Sequence, residues 1–262
     1  MRNVIRLSSE ELARLDLLRF NGGVSPYPEN DTTIASAFTR RNADYYREYV
    51  EKTKFMNGGA VLDLGCGIGN WSLFLAECNE RVIGIDRNAG CVNLARNMAS
   101  DLGVKNLEFL CADLTNLTMQ LPNGQFDYVW LWSVLQYVER GAAMREISRL
   151  LKKGGKLFVG MYNSTGIMLE HIVNGLKKGS LDPTGLWAIR GLENGPLGDG
   201  NPNYGDLASI EKLCDRYGFR LVQAAASDCL DLRMPDGINH GVKAEMRFDA
   251  FVRTVEFVAE KR

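Results

Sequence analysis

Three aspartates each close a short apolar run: Val61-Leu62-Asp63, Val82-Ile83-Gly84-Ile85-Asp86 and Phe109-Leu110-Cys111-Ala112-Asp113. Carboxylates accept hydrogen bonds from hydroxyls and amines and attract cations. Between the first two lies Gly65-Cys66-Gly67-Ile68-Gly69, where bare backbone can press against a ligand. The spacing is G-x-G-x-G. A dinucleotide fingerprint would need glycine at position 70, which is Asn70, and Asp63 would repel a pyrophosphate. The expected ligand is therefore partly cationic and free of phosphate. Asp86 follows the turn by about twenty residues, the interval at which a carboxylate takes ribose hydroxyls, and Asp113 is placed to take the exocyclic amine of an adenine.

The elements that must position these groups follow from apolar runs and their punctuation. Strands are expected near 60–64, 81–85, 107–111, 126–131 and 155–161, with helices near 70–78, 88–101 and 140–151. Strands alternating with helices imply a parallel, right-handed, doubly wound sheet whose ligands bind beyond the carboxyl ends of the strands. A capping box at Ser8-Ser9-Glu10-Glu11 opens a helix to about Phe20, and a second helix is expected over Ala43 to Met56. The tail reads as a helix over 207–217, a strand over 219–225 and a last strand over Ala250 to Ala259.

The blocks VLDLGCGIGN, VIGID and CADL, then FDYVWLWSVLQYV and LLKKGGKL, resemble in content and order the class I S-adenosylmethionine-dependent methyltransferase family, over about residues 58 to 162. The resemblance implies a seven-stranded, mostly parallel α/β sheet, Rossmann-like, with an antiparallel C-terminal strand. It implies S-adenosyl-L-methionine as cofactor and S-adenosyl-L-homocysteine as product. Asp63, with the turn Gly65, Cys66, Gly67 and Gly69, would line the methionine end. Asp86 and Arg87 would sit at the ribose, Asp113 and Leu114 at the adenine, and Leu131 beside the sulfur. Tyr137 departs from the histidine that many relatives carry in an L-x-H pattern, so no acid or base role transfers to it. One domain over 1–262 is expected: an N-terminal helical cover (1–57), the cofactor core (58–162), a lid (163–206) and a tail completing the sheet (207–262).

The lid assignment rests on seven glycines and three prolines between Gly179 and Gly205, interspersed with Leu186, Trp187 and Ile189. A long loop with embedded apolar residues is a substrate cover by expectation. Of the two histidines, His171 is the candidate general base, while His240 ends a polar loop. Trp132 and Tyr137 are expected as acceptor-binding walls and Trp130 as core, alternation along the strand dividing the aromatic group between two faces. Tyr45, Tyr46 and Tyr49 read as one face of an amphipathic helix.

Composition narrows the partners. With 31 basic and 32 acidic residues and a pI near 6.2, the balance does not favour nucleic acid. Six cysteines show no zinc-type spacing, so no metal is expected and the thiols read as reduced. No leader and no membrane-length apolar run is visible, and a cytoplasmic protein is expected. The reading is methyl transfer to an oxygen or nitrogen of a small molecule. RNA or protein methylation, or a non-catalytic cofactor-binding module, are the alternatives. No N-P-P-Y or D-P-P-Y turn follows the fourth strand, which disfavours base-amine methylation.

Overall fold

A computed structural model describes residues 43–117, 120–163, 207–239 and 254–262, with Gly175 and Gly179 singly. The elements are α1 (Ala43–Thr53), β1 (Ala60–Leu64), α2 (Asn70–Cys78), β2 (Arg81–Asp86), α3 (Ala89–Asp101), β3 (Leu107–Cys111), β4 (Phe126–Trp132), α4 (Arg140–Leu150), β5 (Leu151–Tyr162), α5 (Leu207–Arg216), β6 (Phe219–Ala226) and β7 (Thr254–Lys261). A 3-10 turn, Leu135–Tyr137, follows β4. The strands form one seven-stranded sheet in the order β3-β2-β1-β4-β5-β7-β6, the expected α/β fold. The chain divides into two compact units at Ala112/Asp113.

In the first unit β1, β2 and β3 are parallel, with Asp63 opposite Gly84 and Gly84 opposite Phe109. The inner strands are buried on both faces, which is why they read as continuous apolar runs rather than alternating ones. Asn88 starts α3 as the residue type predicts: its Oδ1 accepts from the Gly90 and Cys91 amides at 2.9 and 3.2 Å. Helix α1 lies on α2. Tyr46 stacks on Phe74 with centroids 4.8 Å apart, Tyr46 and Tyr49 meet Trp71 edge-on, and Arg47 grips Glu77 through two 2.8 Å bonds. Tyr46 and Tyr49 therefore pack as a helix face, fastening the helix that follows the glycine turn. The helix ends at Thr53 rather than Met56 because Lys54 and Asn57 turn left-handed, with φ 59° and 61°.

In the second unit β4 and β5 are parallel, and β7 lies antiparallel between β5 and β6. Strand β5 begins at Leu151, earlier than 155. Leu151 pairs with Phe126, an irregularity absorbs the Lys-Gly-Gly stretch, and the ladder resumes at Tyr128 and Lys156. The glycines mark a bulge inside a strand instead of its start. The last strand runs two residues past Ala259, because Glu260 and Lys261 still find partners in Lys156 and Phe219; residues 250–253 lie outside the described residues. So do the helix expected from Ser8, most of the lid, His171 and His240. Among the described residues no helix is long and apolar enough to cross a membrane.

Candidate functional site

The glycine turn hangs from the end of β2. The amides of Gly65 and Cys66 both donate to the Ile85 carbonyl, at 2.7 and 2.9 Å, and the Gly67 amide donates to Asp86 Oδ2 at 2.9 Å. The other Asp86 oxygen accepts from the Asn88 amide at 2.8 Å. Gly65, Gly67 and Gly69 take φ of 72°, 55° and 88°, a region costly for any residue with a Cβ. Asp86, half-buried at the last position of β2, thus ties the turn to the strand and keeps lone pairs that could accept from a ligand hydroxyl. Arg87 beside it is exposed.

Asp63 is placed differently from the expectation of a carboxylate at a strand tip. It is the fourth residue of five in β1, it is 1 % exposed, and its Oδ2 accepts from the Ser72 hydroxyl at 2.5 Å. Burial, opposed in part by the Ser72 hydrogen bond and reinforced by the Asp86 charge, pushes its pKa from 3.8 to about 7. The carboxyl therefore lies within the sheet layer, bonded to α2 through Ser72, and its charged form is disfavoured. The Cys66 thiol is pushed well above its ordinary range by burial and by Asp63 and Asp86, so it stays protonated and is no nucleophile.

Three supporting residues were missed by the sequence reading: Ser72, Gly84 and Phe109. A Cβ on Gly84 would stand 2.5 Å from the Phe109 ring and 2.9 Å from Ser72 Oγ, and one on Gly69 would stand 2.6 Å from the same ring. Phe109 slides into the space that Gly84 leaves and forms the floor of the glycine turn. A glycine within the otherwise branched run VIGID was the available signal, since strand glycines mark close approach.

The second unit carries the remaining candidates. Asp113 lies two residues past β3, and its Oδ1 accepts from the Thr115 amide and hydroxyl at 2.8 and 2.6 Å, an Asx-type turn. Leu114 is buried, and Leu131 is wholly buried one residue short of the end of β4. The side chain of Leu131, the residue expected beside the sulfur, is thus packed into the core. Trp130 and Trp132 do not fall on opposite faces: both stack on Phe158, at 3.9 and 5.8 Å between centroids. Positions two apart share a face, so alternation keeps this pair together. Trp130 is core as expected, while half-buried Trp132 lies flat over Gly160, where a Cβ would meet the indole at 2.9 Å. Ser133 follows with φ 58°, Gln136 Nε2 donates to Ser133 Oγ at 2.9 Å, and Tyr137 is 47 % exposed. Among the described residues no group of three His, Cys, Asp or Glu is arranged to hold a metal ion.

Comparisons with known proteins bear on the domain and its fold. A family described as "Methyltransferase domain" matches residues 61–155. Phosphoethanolamine N-methyltransferase 1 of Arabidopsis thaliana is 33% identical over 118 residues, 44% of this chain and 23% of that protein. Ubiquinone biosynthesis O-methyltransferase of Coxiella burnetii is 31% identical over 143 residues, 52% of this chain and 60% of that protein. The chain thus spans less than two thirds of the length of either relative. The crystal structure of magnesium protoporphyrin IX methyltransferase from Synechocystis, with bound S-adenosylhomocysteine, superposes with a TM-score of 0.54 at 19% identity, covering 95% of this chain and 94% of that one.

Proposed function

We propose that the protein is a class I S-adenosylmethionine-dependent methyltransferase that methylates an oxygen or nitrogen of a small molecule, a reading supported by the match of residues 61–155 to the family described as "Methyltransferase domain". The observation that carries the cofactor half of this reading is the Asp86 carboxylate holding the Gly67 amide at 2.9 Å. It joins a ribose acceptor and a bare-backbone turn in one rigid unit, the combination a nucleoside with a phosphate-free, cationic tail needs. Gly65, Gly67 and Gly69 would line the methionine portion, Asp86 the ribose, and Asp113 with Leu114 the adenine, while Asp63, when ionised, would supply charge from its buried position.

When bound, S-adenosylmethionine supplies a methyl group already activated on a sulfonium. The chain's own task is then to hold the acceptor atom in line at near-attack distance and to keep water out. One proton leaves the acceptor; a hydroxyl gains from a general base, for which His171 stands proposed, whereas a neutral amine attacks unaided. The small-molecule assignment draws on the N- and O-methyltransferase relatives and on the near-neutral charge balance, 31 against 32. The segment 163–206 and the loop 228–240 would supply the acceptor pocket.

The test is label transfer. Purified protein is incubated with methyl-labelled S-adenosylmethionine and a small-molecule cell extract, and the products are separated by mass spectrometry. A labelled metabolite of low mass bears the proposal out. Label found only in protein or RNA added in parallel would replace small-molecule methylation with one of those activities, and cofactor retention without any transfer would leave a binding module.

A further inference from the structure

We propose that Gln136 orients the methyl acceptor, its side-chain amide hydrogen-bonding the hydroxyl or amino group that receives the methyl; this rests on the small-molecule reading above. Gln136 is fully buried, and its Nε2 is used by Ser133 Oγ at 2.9 Å. Its Oε1 is also buried and has no hydrogen-bond partner. Turning the amide over does not cure this. The Ser133 hydroxyl can then donate to the oxygen, but the amide's NH2 becomes the orphan. Either way one end of a buried amide is unsatisfied. Folded proteins rarely tolerate this where a packed apolar side chain would serve.

A second departure sits three residues away. Ser133 adopts φ 58°, uncommon for a residue with a Cβ, and its amide donates to the Gly160 carbonyl at 2.7 Å, which locks the conformation. The lock aims Oγ at Gln136. Both residues follow directly on β4, whose parallel partner is β5, and open α/β sheets take their ligands beyond such carboxyl ends. Trp132, flat over Gly160, immediately precedes them.

The chemistry of the orphan selects the ligand class. A neutral amide offers direction without charge, which suits an uncharged nucleophile better than a sulfonium or carboxylate. A hydroxyl or neutral amino group both donates and accepts, so it completes the amide in either orientation. Gln136 is covered in the free protein, so acceptor entry must displace the 3-10 turn that carries it. That turn is three residues long, the Tyr137 amide donates to the Val134 carbonyl at 2.8 Å, and Tyr137 itself is exposed.

Gln136→Met tests the assignment, measured by thermal unfolding, S-adenosylhomocysteine affinity and the rate of label transfer from methyl-labelled S-adenosylmethionine to a sub-saturating small-molecule extract. The expected result is an unchanged or higher unfolding midpoint, cofactor-product affinity within about twofold, and transfer slowed about five- to tenfold, the worth of one neutral hydrogen bond. A lowered midpoint would make Gln136 a purely structural residue, a large loss of S-adenosylhomocysteine affinity would make it a cofactor contact, and unchanged transfer would remove it from the site; each overturns the proposal. Ser133→Gly keeps the left-handed φ while deleting the hydroxyl, so it probes the same pair without straining the fold, and should slow transfer with S-adenosylhomocysteine affinity retained. Parent protein that binds S-adenosylhomocysteine but labels nothing refutes small-molecule methylation itself, whereas a labelling parent matched by Gln136→Met refutes only this inference.

Discussion

Asp63→Asn separates what Asp63 does for the fold from what it does for the cofactor. In the folded protein the carboxyl is fully buried and its pKa rises from 3.8 to about 7, chiefly because burial disfavours the charged form. The folded state then binds the Asp63 proton more tightly than the unfolded chain does, so between about pH 4 and pH 7 stability falls as pH rises. Below that window both states are protonated and above it both are ionised, so the group contributes no slope at either end. A rise of about three pH units, at about 1.4 kcal/mol each, bounds the penalty near 4 kcal/mol at pH 8 relative to pH 4. The carboxamide of the variant would be neutral throughout and could still accept from Ser72, which lies 2.5 Å from the present carboxylate. Urea unfolding of both proteins at several pH values gives the measurement. The variant should be more stable than the parent at pH 8 by a few kcal/mol, the gap should close toward pH 4, and its affinity for S-adenosylmethionine should drop. Parallel stability profiles for the two proteins would refute the burial argument, and undiminished cofactor affinity would refute the electrostatic role.

Asp86→Asn removes the charge from the group that holds the Gly67 amide, and S-adenosylhomocysteine binding by calorimetry should weaken by roughly tenfold to a hundredfold, the range for charge-assisted hydrogen bonds; affinity within twofold of the parent would contradict the latch. Gly84→Ala forces a methyl to within 2.5 Å of Phe109 and 2.9 Å of Ser72 Oγ, so thermal unfolding should show a loss of about 1–3 kcal/mol together with weaker cofactor binding. Arg47→Met removes both 2.8 Å bonds to Glu77, whose side chain is 7% exposed, and should cost about 3 kcal/mol in urea unfolding, while the double variant Arg47→Met with Glu77→Met should recover most of it. If the double variant is no better than the single one, the fork is not what joins α1 to α2.

The local code was strong in the first half of the chain. Strand bounds at 60–64 and the start of 81–86 were readable because buried parallel strands are short apolar runs set off by glycine, asparagine or aspartate, and 107–111 was readable from its apolar residues although β3 is a half-exposed edge strand. The glycine turn was readable because only glycine takes three left-handed positions in five residues without strain. The seven-stranded sheet with its antiparallel last strand came through family resemblance rather than through any local pattern, and the strand order only from the structure, since strand neighbours are set by long-range pairing.

What the residues by themselves determined was the chemistry on offer: carboxylates at the ends of apolar runs, a flexible turn between them and no phosphate-compatible spacing. Tertiary structure alone decided how each carboxylate is used. Asp86 faces the turn amide because β2 ends beside it, whereas Asp63 is buried and held by Ser72, a residue on another element. Phe109 could become the floor only because Gly84, on the adjacent strand, leaves a gap of the right size. The orphaned amide of Gln136 has no local signature either, since satisfaction of a buried polar group depends on every neighbour that packing brings within hydrogen-bond reach.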